Sequence, residues 1–197
     1  MLTPMKARTE LVEDPRVQRL KDIIKAKGGF KIAGPNEPEF LLRSGKRSKF
    51  YFNGKTATLD PEGISIIAEI VFEKIANLNV DSIGGLALGS IPIATAVAQL
   101  SYKKGKPIPA FWKRESQKEH GDQTLFEGTL KDGSNVVVVD DVATLGSSIE
   151  QVVDYVLQKH CKIVKIVTLL DREEGAATKF RARGFDYVWI LKKSDFT

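Results

Sequence analysis

Cysteine is almost absent from this sequence: Cys161 is the single one among 197 residues. One cysteine cannot form a disulfide within the chain or a cysteine-cluster metal site, and this usage is typical of a reducing compartment. A strong excess of one charge is also missing, because 30 basic and 25 acidic residues give a formal net charge of +5. This balance permits a nucleic-acid partner without indicating one, and it suits small anionic ligands equally well. We expect no nucleic-acid partner.

An apolar leader and a convincing membrane span are missing as well. The first fifteen residues, MLTPMKARTELVEDP, contain no apolar core of the signal-peptide kind. Residues 82–102 carry no charge and are long enough to cross a bilayer, but three glycines and a proline interrupt them. A buried strand, a glycine loop and a packed helix explain this segment better. We expect a cytoplasmic protein that has no membrane contact.

Two helices are predicted from the same start signal, an aspartate followed by a proline. Asp14 and Pro15 precede a segment that is apolar on one face and stops at Gly28. Asp60 and Pro61 precede a longer segment with apolar residues at helical spacing. These residues are Ile64, Ile67, Ala68, Val71, Ile75 and Leu78. Aspartate caps the free amides of a first turn and proline fits the first helical position, so both helices should begin at these prolines.

Five apolar runs, separated by helix-length segments, predict a parallel sheet. They lie near Ile83–Leu88, Ile108–Trp112, Val136–Val139, Ile163–Leu170 and Tyr187–Leu191. Strands that are apolar on both faces occur in parallel sheets covered by helices. Two short strands are expected earlier, at Phe40–Arg43 and Phe50–Phe52. The chain length suits one domain, in which the first forty residues or so are appended to an α/β core.

Residues 136–148, VVVVDDVATLGSS, join four valines, two carboxylates and a loop of small and hydroxylated residues. In open α/β sheets ligands bind beyond the carboxyl ends of strands, and we expect Asp140 and Asp141 at such an end. Adjacent carboxylates repel each other, and a divalent cation, basic side chains or sugar hydroxyls would relieve this. The following loop opens an amphipathic helix whose first amides can bind phosphate. A sugar-phosphate site and a solvated strand end with an ordinary cap at Ser147 or Ser148 both fit.

The same stretch resembles the phosphoribosyl pyrophosphate (PRPP) motif of type I phosphoribosyltransferases. Val136–Val139 match its hydrophobic strand, Asp140 and Asp141 its acids, and Thr144–Ser147 its Thr-x-Gly-Ser loop. The resemblance implies that the ribose hydroxyls lie at the acids and the 5-phosphate on the loop. The PRPP-binding residues implied in this stretch are Asp140, Asp141, Val142, Ala143, Thr144, Leu145, Gly146, Ser147 and Ser148. Gly89 and Ser90 are the implied pyrophosphate contacts, without the lysine that members often carry there.

Residues 111–128, FWKRESQKEHGDQTLFEG, begin as an apolar strand and continue as a charged stretch, a pattern most often found in solvated loops. They also resemble the orotate phosphoribosyltransferase loop Arg-Lys-Glu-x-Lys-Asp-His-Gly, which supplies cations to PRPP. Lys113 and Arg114 stand in swapped order here, and Gln117 adds a residue. The implied PRPP-binding cations are Lys113, Arg114, Lys118 and His120.

Two further segments resemble those of orotate phosphoribosyltransferases. Residues 41–53, LLRSGKRSKFYFN, are similar to the family's Leu-Lys-Ser-Gly segment, which ends in an aromatic pair. Residues 169–175, LLDREEG, match the segment whose arginine meets the orotate carboxylate; from the residues alone they would be a surface charge cluster. A guanidinium can grip a planar carboxylate in a bidentate fork. The implied orotate-binding residues are Arg43, which replaces the usual lysine, Tyr51, Phe52, Thr144 and Arg172.

These resemblances run in family order from Leu41 to Gly175. They imply the type I phosphoribosyltransferase fold, an α/β architecture with a central, mostly parallel five-stranded sheet flanked by helices and a small N-terminal hood. The single domain would cover residues 1–197, with the N-terminal helix and hood segment over 1–55 and the α/β core over 56–197.

The implied reaction transfers the 5-phosphoribosyl group from PRPP to orotate, giving orotidine 5'-monophosphate and pyrophosphate in de novo pyrimidine biosynthesis. Lys118, His120 and Asp141 are the implied catalytic residues. The implied cofactor is Mg2+, held mainly through PRPP without direct protein ligands. The resemblance also implies a homodimer that shares the loop from Lys113 to Gly128 between subunits.

Three alternatives remain open at this stage. A phosphoribosyltransferase for another base is suggested by Arg43, the swapped Lys113 and Arg114, and Gln117. A non-catalytic PRPP-binding regulator of transcription would need a DNA-binding module, for which the residues before Leu41 leave little room. A structural or adaptor α/β domain would have no use for a phosphate loop.

Overall fold

The structure is a computed structural model that describes residues 14–41, 45, 47–114 and 125–197. The helices in these ranges are α1 Pro15–Ala26, α2 Lys55–Thr58, α3 Pro61–Ile75, α4 Ser90–Lys103, α5 Ser147–Gln158 and α6 Ala176–Ala182. The strands are β1 Phe30–Ile32, β2 Phe40–Leu41, β3 Arg47–Ser48, β4 Phe50–Phe52, β5 Ser82–Leu86, β6 Ala110–Lys113, β7 Phe126–Gly128, β8 Asn135–Ala143, β9 Lys162–Asp171 and β10 Tyr187–Lys192. A 3-10 turn, Lys193–Asp195, follows β10.

The central sheet has the strand order β10-β9-β8-β5-β6-β7 and is parallel except for the β6–β7 pair. The mostly parallel α/β sheet is confirmed, but the expected count of five strands is wrong for the described residues, which form six. The additional strand, β7, pairs antiparallel with β6 at the sheet edge. It is three residues long and lacks an apolar run, so its strand conformation depends on its pairing partner and leaves no local sequence signal.

Helices cover both faces of the sheet, and the four valines of β8 alternate between them. Val137 and Val139 pack with α1, α3 and α4 on one face. Val136 and Val138 pack with α5 and α6 on the other. All four side chains are at most 1% exposed, which explains why a continuous apolar run is stable here.

Both predicted helix starts are confirmed. Asp14 and Asp60 are the N-caps of α1 and α3, and a proline follows each as the first helical residue. Residues 82–102 form β5, a turn and most of α4, as expected. Across the described ranges, every helix is too short or too polar to span a bilayer.

The N-terminal segment is joined to the core by packing and by charge pairs. Leu20 and Ile24 of α1 are fully buried against α3 and the sheet. Strand β4 pairs antiparallel with β1 and places Phe50 and Phe52 in the same apolar cluster. Arg19 of α1 pairs with Glu62 of α3 at 2.6 Å. The predicted strand at Phe40–Arg43 is present as Phe40–Leu41 and pairs with β3; Arg43 itself lies outside the described residues.

The cap residue Asp60 should stabilise the protein in a pH-dependent way. Its Oδ1 accepts a hydrogen bond from the Gly63 amide at 2.7 Å, and its Oδ2 lies 3.0 Å from Lys27 Nζ. The Gly63 hydrogen bond, followed by the one from Lys27, holds the pKa of Asp60 below its ordinary value of 3.8. Because the folded-state pKa is the lower one, the stabilisation is complete above the ordinary value and is lost as the pH falls through the folded-state value.

We expect Asp60→Asn to lower the urea midpoint at pH 7, because asparagine keeps an oxygen acceptor but loses the charge. The difference from the wild type should shrink as the pH falls through the pKa of Asp60, where the wild-type side chain also becomes neutral. Urea unfolding at a series of pH values measures this difference. Asp22→Asn, at an exposed position within α1, is the control. A difference that stays constant across the series contradicts the expected origin of the effect.

Candidate active site

The predicted functional segments meet at the carboxyl ends of three adjacent parallel strands. Strands β5, β8 and β9 are neighbours in the sheet. The turn before α4 follows β5, residues 144–146 follow β8, and residues 172–175 follow β9. Ligands of open α/β sheets bind at this edge, so the fold brings the sequence motifs to one place.

The two adjacent acids do not follow the strand but form part of it, which corrects the expected strand end. Strand β8 continues to Ala143, and Asp140 pairs with Thr168 of β9. Strand β8 extends this far because β9 is long enough to continue the pairing, with Asp171 of β9 opposite Ala143. Residues inside a strand point alternately to opposite faces. Asp140 and Asp141 therefore lie in different surroundings.

Asp140 is 6% exposed and accepts a hydrogen bond from the Asp141 amide at 3.0 Å. Beneath it, the Tyr187 hydroxyl lies 3.3 Å from Thr168 Oγ1. Burial is the main cause that raises the pKa of Tyr187 above its ordinary value, and the nearby carboxylates of Asp171 and Asp140 raise it further. The Tyr187 hydroxyl therefore stays neutral beside these acids at physiological pH.

Asp141 faces the N-terminal segment and lies between two glycines. A Cβ built on Gly89 would be 2.3 Å from Asp141 Oδ1, and one on Gly54 would be 3.1 Å from Oδ2. A real Cβ atom essentially never lies as close as 2.3 Å to another atom, so a side chain at position 89 would force Asp141 or the backbone to shift. The side chain of Asp141 is half-buried, so its carboxylate is the more accessible of the two. Sequence reasoning missed the Gly54 contact, because it joins distant parts of the chain.

The loop after β8 has the form of an anion cradle. Gly146 is the N-cap of α5 with φ 76°, and a Cβ there would be 2.4 Å from Phe180 Cε2, so a glycine is required for both conformation and space. No described side chain caps the first turn of α5, which excludes Ser147 and Ser148 as side-chain caps. Ser147 is exposed and Ser148 half-buried. The amides and hydroxyls of this loop are thus positioned to receive a phosphate.

Other predicted PRPP residues near this loop differ in accessibility. Leu145 is 50% exposed and Thr144 is half-buried, whereas the side chains of Val142 and Ala143 pack into the two apolar clusters. Only the backbone of Val142 and Ala143 is therefore suited to ligand contact. Ser90 is fully buried, and its hydroxyl donates to the Leu86 carbonyl at 2.7 Å. Its side chain faces the interior instead of the site.

The two described cations of the predicted loop have partners within the protein. Lys113 Nζ donates to the Arg114 carbonyl at 3.3 Å and lies 3.5 Å from Gln151 Oε1 of α5. Arg114 pairs with Glu127 across the β6–β7 hairpin, with Nε 3.1 Å from Oε1. Lys118 and His120 lie outside the described residues.

The predicted aromatic pair is divided between the surface and the core. Phe52 is 8% exposed and packs against Phe196, with ring centroids 5.9 Å apart. Tyr51 is half-buried, and its ring centroid is 5.4 Å from that of Phe40. Phe50, which the sequence analysis did not single out, lies 5.0 Å from the Arg172 guanidinium. Side-chain alternation along β4 could have indicated that Phe50 and Phe52 share one face.

Arg172 is almost completely buried, and its guanidinium joins the loop after β9 to the N-terminal segment. The side chain is 4% exposed and its Nε donates to Glu174 Oε1 at 2.9 Å. Its Nη2 donates to Ser48 Oγ at 3.1 Å and to the Phe50 carbonyl at 3.5 Å. Sequence reasoning found Arg172 but missed Ser48 and Glu174, because their roles depend on contacts between segments distant along the chain.

A divalent cation would find a suitable oxygen ligand in Asp141, whose accessible carboxylate lies close to the phosphate loop. Clusters of three or more histidine, cysteine, aspartate or glutamate side chains in metal-binding geometry are not found in the described ranges. Binding of Mg2+ would therefore depend on the aspartate carboxylate and on oxygens supplied by a phosphorylated ligand.

Comparisons with known proteins point to one family. The family described as "Phosphoribosyl transferase domain" matches residues 57–189. The chain is 43% identical over 182 residues to an orotate phosphoribosyltransferase of Rhodopseudomonas palustris (strain BisB18), which covers 90% of this chain and 94% of that protein. It is 44% identical over 163 residues to the enzyme of the same name from Bradyrhizobium diazoefficiens, covering 80% and 87%.

A solved structure of a protein with this family name has a similar fold. The crystal structure of Mycobacterium tuberculosis H37Rv orotate phosphoribosyltransferase in complex with PRPP superposes with a TM-score of 0.73 at 29% sequence identity. The superposition covers 92% of this chain and 98% of that one. Sequence and fold therefore agree over nearly the whole length.

Proposed function

Because this chain belongs to the orotate phosphoribosyltransferase family, we propose that it transfers the 5-phosphoribosyl group of PRPP to orotate, forming orotidine 5'-monophosphate and pyrophosphate. The observation that carries the proposal is the grouping of the Gly146 loop, Asp141 and Arg172 at the ends of adjacent strands. These three features suit, in order, a phosphate, a sugar and a carboxylate-bearing base.

The ribose phosphate is bound by the loop and by the acids. The 5-phosphate lies on residues Thr144–Ser148, where the α5 amides and the serine hydroxyls donate to it. Asp141 accepts hydrogen bonds from the ribose hydroxyls, and the buried Asp140 fixes the backbone amide of Asp141. Gly89 allows the pyrophosphate turn to approach that carboxylate.

Orotate lies between Tyr51 and Arg172, with Arg43 and Thr144 completing the base site. The Arg172 guanidinium receives the orotate carboxylate, which neutral bases lack. Residues 1–55 form a helix and hood segment over the α/β core of residues 56–197, and the contacts of Arg172 with Ser48 and Phe50 support this arrangement. The base is thereby held against the anomeric carbon.

The chemical step requires positioning and charge stabilisation more than covalent catalysis. The orotate ring nitrogen displaces pyrophosphate through an oxocarbenium-like transition state, in which Asp141 lies on the sugar side. Bound Mg2+ would neutralise charge on the pyrophosphate oxygens. Lys118 and His120, with Lys113, complete the neutralisation of the leaving group, and a homodimer that shares the loop from Lys113 to Gly128 would bring them to the site. The single cysteine supports a cytoplasmic location.

Product analysis separates this enzyme from a PRPP-binding regulator. The purified protein is incubated with orotate, PRPP and Mg2+. Orotidine 5'-monophosphate is quantified by mass spectrometry, and pyrophosphate by a phosphate assay coupled to inorganic pyrophosphatase. We expect both products in equal amounts. A melting-temperature increase with PRPP and Mg2+, combined with no product, would favour the regulator.

Lys118→Ala should lower kcat by about a hundredfold, because one well-placed cation stabilises the departing pyrophosphate by roughly 3 kcal/mol. The KM for orotate should change little, since the cation acts on the leaving group. Steady-state kinetics with PRPP and orotate varied in turn measures both constants. Lys103→Ala, at an exposed position of α4, is the control. Near-full turnover by Lys118→Ala excludes this residue from the catalytic step.

A further inference from the structure

Some N–H donors of the Arg172 guanidinium have acceptors among the described residues, and others do not. A guanidinium carries five N–H donors. The Nε donor is paired with Glu174, and the Nη2 donors are directed to Ser48 Oγ and the Phe50 carbonyl. Within the part of the chain that the structure describes, the two Nη1 donors have no acceptor. Among the described residues, the buried side-chain N or O atom without a hydrogen-bond partner is Asp171 Oδ2, so Nη1 is not enclosed. Water or a ligand can therefore reach Nη1, which makes its two donors available to a carboxylate.

A complete bidentate fork is not available in this arrangement. The edge formed by Nε and Nη2 is closed by Glu174, whose carboxylate also balances the charge of Arg172. The edge formed by Nη1 and Nη2 is shared with Ser48 and Phe50. An incoming carboxylate would therefore bind to one free nitrogen, Nη1, of an arginine whose charge Glu174 already balances. A carboxylate transferred from water to such a place needs a further hydrogen-bond donor to offset its desolvation.

Ser48 supplies a donor at the right place. Its Oγ accepts hydrogen bonds from Arg172 Nη2 and from the Phe50 amide, both at 3.1 Å. A serine hydroxyl accepts two hydrogen bonds and donates one, so both acceptor positions are filled. The remaining hydroxyl hydrogen has no acceptor among the residues the structure describes. Ser48 is half-buried, and its Oγ lies 3.1 Å from Nη2 of the same guanidinium, so a carboxylate bound at Nη1 would come near this hydroxyl.

We propose that the Ser48 hydroxyl donates a hydrogen bond to the carboxylate of orotate, so that Arg172 Nη1 binds one carboxylate oxygen and Ser48 Oγ the other. Ser48 is then a specificity-determining residue that acts on the carboxylate alone. The inference rests on the proposed function, since it assumes that the base carries a carboxylate. It assigns a substrate contact to a residue that the motif comparison had not singled out.

The test compares two nucleotides that differ only in the carboxylate. Orotidine 5'-monophosphate and uridine 5'-monophosphate share the phosphate, the ribose and the pyrimidine ring. Their dissociation constants are measured by isothermal titration calorimetry for the wild type and for Ser48→Ala, Ser48→Thr and Ser65→Ala. Ser65, on the exposed face of α3, is the control.

Ser48→Ala should weaken the binding of orotidine 5'-monophosphate about tenfold, the usual effect of losing one hydrogen bond to a charged group. The binding of uridine 5'-monophosphate should remain within about twofold, since none of its groups reaches Ser48. Ser48→Thr, which keeps a hydroxyl, should recover most of the lost preference, and Ser65→Ala should behave as the wild type. Equal weakening of both nucleotides by Ser48→Ala would assign Ser48 a structural role only and overturn the inference.

The result also separates this inference from the proposed function. A wild type that binds the two nucleotides equally and makes no product with orotate contradicts the proposed function itself. A wild type that strongly prefers orotidine 5'-monophosphate, together with an unchanged preference in Ser48→Ala, leaves that function intact and refutes the role of Ser48.

Discussion

Replacing Arg172 with glutamine is expected to lower kcat/KM for orotate by about a thousandfold, because removal of a buried, hydrogen-bonded charge partner commonly costs several kcal/mol. Three effects combine. The carboxylate of orotate loses its cation, Glu174 loses its ion-pair partner, and Ser48 loses the donor on its Oγ. The KM for PRPP should stay nearly constant, because the phosphate loop and Asp141 are unchanged.

Steady-state kinetics with each substrate varied in turn tests this prediction. Arg19→Gln is the matched control, since Arg19 also pairs with a glutamate, but at the exposed surface of α1 and α3. An exposed pair of this kind contributes little, so this variant should retain wild-type kinetics. Arg172→Lys should be intermediate, because lysine keeps the charge but cannot reproduce the separate guanidinium hydrogen bonds to Glu174 and Ser48. If kcat/KM for orotate in Arg172→Gln stays within about threefold of the wild type, Arg172 does not bind the base carboxylate.

One methyl group at position 89 should lower kcat by more than about a hundredfold, because displacing a substrate-positioning group by 1 Å can have that effect. A Cβ on Gly89 would lie 2.3 Å from Asp141 Oδ1, so Gly89→Ala must displace the carboxylate or the turn that carries residue 89. The backbone conformation of Gly89, φ −61°, suits alanine, and the expected loss therefore comes from the contact itself. The α4 helix should remain intact.

Gly34→Ala is the matched control for this prediction. Its Cβ would meet only the flexible Glu37 side chain, at 3.4 Å or beyond. Circular dichroism and melting temperature establish that both variants are folded, and kcat is then compared at saturating PRPP and orotate. A folded Gly89→Ala variant with wild-type kcat would mean that Asp141 tolerates displacement and does not position the ribose.

Local signals in the sequence were sufficient for the elements that local chemistry determines. Asp60 and Pro61 mark the start of α3 because capping needs only neighbouring residues. The valines of β8 predict a strand buried on both faces, because a continuous apolar run is also a pattern of neighbouring residues. Strand β7 was missed because its pairing with β6, rather than its own three residues, makes it a strand. The end of β8 was placed too early because β9, a different segment, extends it.

A candidate site could be assigned from the sequence, but its contacts could not. The resemblance to known motifs identified Asp141, Gly146 and Arg172. It did not predict that Gly54 lies against Asp141, or that Ser48, 124 positions away, accepts a hydrogen bond from Arg172. It assigned Phe52 to the base, and the structure places the Phe52 side chain in the apolar core cluster. Such details depend on how the N-terminal segment folds onto the sheet, which no local pattern encodes.

The most direct test of the account follows the loss of orotate absorbance after the purified protein is mixed with orotate, PRPP and Mg2+. Uracil, hypoxanthine and adenine are supplied in parallel, and their nucleotide products are measured by chromatography. The account predicts turnover with orotate and none with the other three bases. Preferential turnover of another base, or tight PRPP binding without turnover of any base, would contradict it.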